Sequence, residues 1–115
     1  MPRAHWVGRA DYEVVRRTMR RNGAIFSLTV AVSPTGSVPK VSCVVSKKVS
    51  PHAVDRNRIK RRCRAAIAPL LQTIRAPIIC VFFARREAVT ASYEDIQRDV
   101  CMLAEQAFSR YNLRT

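Results

Sequence analysis

Apolar and polar positions alternate along Phe26-Ser27-Leu28-Thr29-Val30-Ala31-Val32-Ser33, with the even positions apolar and the odd ones small or polar. A period of two marks a strand with one face on a core. Val41-Ser42-Cys43-Val44-Val45-Ser46 reads as the next strand, and Pro34-Thr35-Gly36 between them supplies turn chemistry. The two are expected to pair as an antiparallel hairpin. Ile78-Ile79-Cys80-Val81-Phe82-Phe83 is apolar at every position, which suits a central strand covered on both sides. Three other stretches carry helical periodicity. Around residues 10–21, Tyr12, Val15 and Met19 recur at i, i+3 and i+7, and Asn22-Gly23 reads as a left-handed stop. Ser50-Pro51 reads as an N-cap followed by proline at the first helical position. The helix it opens should run to about Ala68 or Leu71, with Pro69 ending or kinking it because proline lacks a backbone donor. Ser92, with Asp95 three residues later, resembles a capping box ahead of a stripe of Tyr93, Ile96, Val100, Leu103 and Ala107. Residues 1–9 read as an irregular basic arm anchored by Trp6, and Leu113 to Thr115 as a frayed end. The order is α-β-β-α-β-α. It predicts an α+β sandwich with a central β-sheet and one β-α-β unit around the middle helix.

No repeat, low-complexity tract or linker divides the 115 residues, so residues 1–115 read as a single domain. Charge narrows the choice of partner. The chain has 21 Lys and Arg against 8 Asp and Glu, a formal charge of +13. Such an excess points to nucleic acid first and an acidic membrane surface second. No apolar run approaches the roughly 18–20 residues that span a bilayer. Arg3, Arg9 and Asp11 interrupt any secretory apolar segment, so a cytoplasmic protein with no membrane partner is expected. Cys43, Cys63, Cys80 and Cys101 stand singly in apolar surroundings, which predicts buried, reduced thiols.

The charge is concentrated in Arg56-Asn57-Arg58-Ile59-Lys60-Arg61-Arg62-Cys63-Arg64, where six of nine residues are basic and no acid follows until Glu87. At about 100° per residue, Arg56, Lys60 and Arg64 form one row, with Asn57 and Arg61 beside it and Arg58 and Arg62 further round. Ile59 and Cys63 fall opposite and continue into Ala66, Ile67 and Leu70. One face can pack on a core while a cationic face is held outward. Like charges at this density repel one another, and a bound polyanion offsets that cost.

The segment from Ser46 to Arg64 resembles the signature of the bacterial ribonuclease P protein component. The resemblance is carried by Ser46, Lys47 and Lys48, by Ala53 and Val54, by Arg56-Asn57-Arg58-Ile59-Lys60-Arg61, and by Arg64. The order of elements over nearly the whole chain is similar as well. The resemblance implies a protein that binds a large catalytic RNA, the two together removing the 5′ leader from precursor tRNA. It implies that the holoenzyme is an endoribonuclease whose chemistry, including the Mg²⁺ it needs, resides in the RNA. It also implies a left-handed β-α-β crossover, against the usual hand. Carried over residue by residue, it assigns RNA binding to Lys47, Lys48, Arg56, Asn57, Arg58, Lys60, Arg61 and Arg64. Leader binding falls to Tyr12 and Arg16, in a cleft between the first helix and the sheet. The chain departs from the pattern at three places. Cys63 replaces an aliphatic residue or threonine. Asp55 sets an acid directly before the basic run, where it favours the helix dipole and is expected to repel RNA locally. The cleft is also short of aromatics, with Arg16 one turn after Tyr12 and with Thr29 and Ala31 on the first strand.

Blander readings stand beside these. Lys47 and Lys48 can be solvated strand-end lysines. Tyr12 can be a core residue, and Arg16, Arg17, Arg20 and Arg21 a generic solvated face. A protein nuclease would need clustered carboxylates for Mg²⁺. Glu94, Asp95 and Asp99 are the only cluster, and they sit where acids complement a helix dipole. The alternative to the ribonuclease P reading is a ribosomal-type RNA-binding protein without associated catalysis.

Overall fold

The computed structural model describes residues 20–33, 39–74 and 77–111. The first expected helix, with Tyr12 and Arg16, lies outside the described residues, as do the basic arm, the Pro34-Thr35-Gly36 turn and the C-terminal end. The described elements are β1 (Arg21–Asn22), β2 (Phe26–Val32), β3 (Lys40–Val44), α1 (Ala53–Leu71), β4 (Ile78–Ala84), a short 3₁₀ turn (Arg86–Ala88) and α2 (Tyr93–Tyr111). The architecture is α+β, as the periodicities predict.

The four strands lie in the order β1-β2-β4-β3, so β2 and β3 are not the expected hairpin pair. Strand β4 separates them, antiparallel to β2 and parallel to β3. The physical reason is burial. Strand β4 is apolar on both faces, and between two neighbours Ile78, Ile79, Cys80, Val81 and Phe82 all reach 0% exposure. The chain passes from β3 to β4 through α1, the β-α-β unit. One sheet face holds Phe26, Leu28, Val30, Val41, Cys43, Ile78, Cys80 and Phe82 against α1 and α2. There the Phe26 and Phe82 rings meet edge to face at 6.1 Å. The other face carries Ile79 and Val81, packed with Ala31, Val44 and Phe83.

Several boundaries differ from expectation. Arg21 and Asn22 form a strand, and Gly23 belongs to a tight turn rather than a helix stop, its N–H donating to Phe26 O at 2.7 Å. The cause lies on α2. The Asp99 carboxylate, 6% exposed, accepts the backbone N–H groups of Ala24 (3.1 Å), Ile25 (3.1 Å) and Phe26 (2.9 Å). A Cβ on Gly23 would stand 2.7 Å from Asp99 Oδ1, so only glycine admits this approach. Ser50 is not the N-cap of α1. The helix begins after His52, and the Ser50 hydroxyl accepts the His52 N–H at 3.2 Å in a turn just upstream. Pro69 does not itself end α1, which runs on to Leu71. It sits in the last turn, where few helical bonds remain to lose, and Ile67 and Leu71 bury on either side of it. The helix closes beyond it with Thr73 Oγ1 and N–H both donating to Leu70 O. Ser92 does cap α2, its Oγ accepting the Asp95 N–H at 3.1 Å. Tyr93 leaves the predicted stripe and is exposed, whereas Ile96, Val100, Leu103 and Ala107 are buried.

Cys43, Cys63 and Cys80 are free thiols buried between α1 and the sheet, and Cys101 is half-buried with its Sγ toward Ala66 O. Burial pushes the Cys80 thiol up to about 12. Burial raises Cys63 too, reinforced by its hydrogen bond with Cys43. Above about pH 9 the unfolded chain releases thiol protons that the folded chain keeps, so stability falls as pH rises toward the folded values. Thermal melts from pH 7 to 10.5 should therefore show an alkaline decline. It should be shallower in the double variant Cys63→Ala, Cys80→Ala, whatever the cavities cost at neutral pH. Parallel slopes in both proteins would refute the assignment.

Candidate nucleic-acid interface

Helix α1 is built mostly from good helix formers, Arg, Lys, Ala and Leu. It turns Ile59, Cys63, Ala66, Ile67 and Leu71 inward. That inward stripe fixes the rotation of the helix and so the direction of every cation on it. Asn57 and Arg61 are fully outward. Arg56, Lys60 and Arg64 are half-buried, so this row borders the buried stripe rather than standing opposite it, because seven residues make almost two whole turns and set Arg56 over Cys63 and Lys60 over Ile67. Lys47 and Lys48 are exposed in the turn joining β3 to α1, closed by Val49 N–H to Ser46 O at 3.1 Å. They are turn residues rather than strand-end lysines. Because β3 feeds α1, this turn and the start of the basic row share one end of the domain.

The arginines of α1 divide into two sets. Arg58 Nη2 donates to Val89 O at 3.3 Å and pairs with Asp55 Oδ1 at 3.4 Å, and Arg62 Nη1 reaches Ala91 O at 3.5 Å. This flank of α1 fastens the segment between β4 and α2. Arg58, grouped with the RNA-binding residues by its sequence neighbours, is thus drawn to the protein. Arg56 is tied by a single bond from Nη1 to Ser50 O at 2.9 Å, which holds it in place beside Lys60. Asp55 is occupied as well. Its Oδ2 accepts the Ser50 hydroxyl at 3.0 Å and its Oδ1 faces Arg58 at 3.4 Å.

The acids of α2 do not gather. Asp99 turns inward to the three amides, and Asp95 pairs with Arg98 at 3.3 Å. Among the described residues no group of three or more His, Cys, Asp or Glu side chains is placed to hold a metal ion. Sequence reasoning passed over Arg85 and Arg86, exposed after β4, and Phe83, half-buried under Arg20. The Arg-Arg pair was legible as charge. The face on which Phe83 stands depends on strand register, which no local pattern reveals.

A family model described as ribonuclease P matches residues 5–108. The chain belongs to the ribonuclease P protein family. It is the protein subunit of an endoribonuclease that processes tRNA, and the family assignment decides against a ribosomal-type binder. A ribonuclease P protein component from Microcystis aeruginosa is 33% identical over 103 residues, covering 86% of each chain. One from Herpetosiphon aurantiacus is 35% identical over 95 residues, 79% of this chain and 76% of the relative. The ribonuclease P proteins of Staphylococcus aureus and Thermotoga maritima share the fold. Their TM-scores are 0.77 and 0.72 at 22% and 15% identity. The matches cover 88% and 85% of this chain and 92% and 91% of theirs. The RNA partner implied by the family agrees with the cationic face of α1. No helix among the described residues is long and apolar enough to cross a membrane.

Proposed function

We propose that the outward face of α1, with the Lys47-Lys48 turn, binds the catalytic RNA of ribonuclease P, and that the protein also receives the 5′ leader of precursor tRNA. One observation carries the first part. Ile59, Cys63 and Ile67, all at 0% exposure, fix the inward side of the helix, which leaves Asn57 and Arg61 exposed and Arg56, Lys60 and Arg64 along the flank beside them. Cations placed this way neutralise phosphates and release counterions. The Asn57 amide can both donate to a phosphate and accept from a ribose 2′-hydroxyl. Tyr12 and Arg16 remain the proposed leader contacts from the sequence.

Mg²⁺ in this reading is held by RNA. Asp55, Asp95 and Asp99 are each turned to a protein partner, which is not a donor set for the ion. The protein lowers the Mg²⁺ demand of the RNA by supplying fixed positive charge. The test is cleavage of precursor tRNA by a bacterial ribonuclease P RNA at low Mg²⁺, with and without this protein. Protein plus RNA should cut at the mature 5′ end where RNA alone is slow, and protein alone should not cut. Multiple-turnover cutting by RNA-free protein would place the chemistry in the chain and end this reading.

A further inference from the structure

Phe83 lies on the sheet face turned away from α1 and α2. Register sets it beside Ser27 of β2 and Val44 of β3, with Asn22 of β1 next to Ser27. The Asn22 side chain is held by the Ser27 hydroxyl at 2.9 Å. Further along the same face, Ile79 and Val81 are fully buried and Thr29 is 2% exposed. Among the described residues, Phe83 is the only aromatic on this face. Arg20, just before β1, carries its guanidinium over the ring, 3.9 Å from the centroid. Arg20 is itself exposed.

The charge around this pair is one-sided. Arg85 follows β4 directly, its N–H bonded to Ile25 O at 2.9 Å, and Arg86 opens the 3₁₀ turn. Both are exposed, at the end of the sheet where β2 begins and β4 finishes. Lys47 and Lys48 leave β3 at that same end, because β3 runs parallel to β4. Of the nearby acids, Glu87 is exposed, while Asp99 is buried on its amides. A planar cation on a ring, bordered by further arginines, suits a nucleic acid that offers both a free base face and phosphates. Only a single strand offers both, since bases of a duplex stack on each other.

We propose that Arg20 and Phe83 form a stacking platform for one base of single-stranded RNA, with Arg85 and Arg86 on its phosphates, and that this strand is the precursor-tRNA leader. The assignment rests on the leader reading above and adds residues to it. The base continues the column by lying on the Arg20 guanidinium, with Phe83 beneath. The ring on β4 thereby does what Thr29 and Ala31 of β2 cannot.

The test uses holoenzyme reconstituted with a bacterial ribonuclease P RNA and two precursor tRNAs, one with a leader of several nucleotides and one with a single nucleotide. The ratio of their dissociation constants reads leader binding alone. In Phe83→Leu and in Arg20→Gln, that preference should fall about five- to twenty-fold, the scale of base stacking, with affinity for the catalytic RNA unchanged. Arg20 is exposed, so Arg20→Gln answers the question even if Phe83→Leu loosens the sheet. Arg85→Gln with Arg86→Gln should reduce the salt slope on the long-leader substrate by about 1.4, two single-strand phosphates' worth. If the wild-type preference is clear and both platform variants retain it, the platform is wrong and the leader reading stands. A wild-type holoenzyme without leader preference overturns both. Equal losses on both substrates, or weaker binding of the catalytic RNA, also overturn the platform.

Discussion

Asp99→Ala lowers the stability of the folded protein by about 3–4 kcal/mol, the largest loss expected from any single polar side chain here. The carboxylate accepts three backbone N–H groups at the start of β2 and is 6% exposed. Removing it leaves those donors facing a void, at about 1–3 kcal/mol for each one that water cannot reach. The Ala24 amide is the most accessible of the three, which keeps the total below the sum. For a chain of this size the melting temperature should fall by about 10–15 °C. Gly23→Ala should also destabilise, because its Cβ would stand 2.7 and 2.8 Å from the two carboxylate oxygens. The two substitutions are coupled: once Asp99 is alanine, the added methyl has nothing to strike. Urea denaturation of the wild type, both single variants and the double variant measures this directly. Additivity within about 0.5 kcal/mol would mean that Gly23 is not required by Asp99. A melting temperature unchanged in Asp99→Ala would remove the latch altogether.

The second large effect falls on RNA binding, with only a small cost to the fold from the Arg56 bond to Ser50 O. Replacing Arg56, Lys60 and Arg64 together with alanine should weaken binding of the catalytic RNA by roughly 1–3 kcal/mol for each cation that bonds a phosphate. The slope of log affinity against log salt should shrink by about 2–3, three phosphates' worth. The contrasting pair is Arg58→Ala with Arg62→Ala. Those side chains reach Val89 O and Ala91 O, so their removal should loosen the segment before α2 and lower the melting temperature. It should leave the salt slope nearly intact. Two variants that remove cations from one helix would thus separate, one in affinity and the other in stability. If both pairs of measurements move together, the division of the helix into an RNA flank and a protein flank is wrong.

That division marks the limit of what a sequence pattern can tell. Ile59, Cys63 and Ile67 set the inward side of α1, and once that is known the outward side is known too, because a helix is a local, regular object. The outward place of Asn57 and Arg61 was legible for that reason, whereas the row Arg56, Lys60 and Arg64 lies at the border of the buried stripe. The same reasoning could not separate Arg58 from Arg61. Both are off the core, and only the segment at Val89 and Ala91, some thirty residues on, tells them apart.

The strands follow the same logic. Alternation from Phe26 to Val32 and the unbroken apolar run of β4 were sufficient to find those two strands and to predict a central place for β4, but not to find the short β1. They could not forbid β2 and β3 from pairing, because hairpin formation and insertion of β4 satisfy the same periods. Burial of both faces of β4 decided the order. Asp99 read from sequence as one more acid near a helix start, although it reaches across more than seventy residues to close the turn at Gly23. The chain by itself determined the inward face of α1, its three longer strands, its family and its charge, all carried by neighbours within a few residues. Tertiary structure alone decided strand order, the partners of Asp99, the bond from Arg58 to Val89 and the placing of Phe83 beneath Arg20. Strand order, the Asp99 latch, the Arg58 bond to Val89 and the Arg20–Phe83 contact depend on which distant segments meet, and local periodicity holds no record of that.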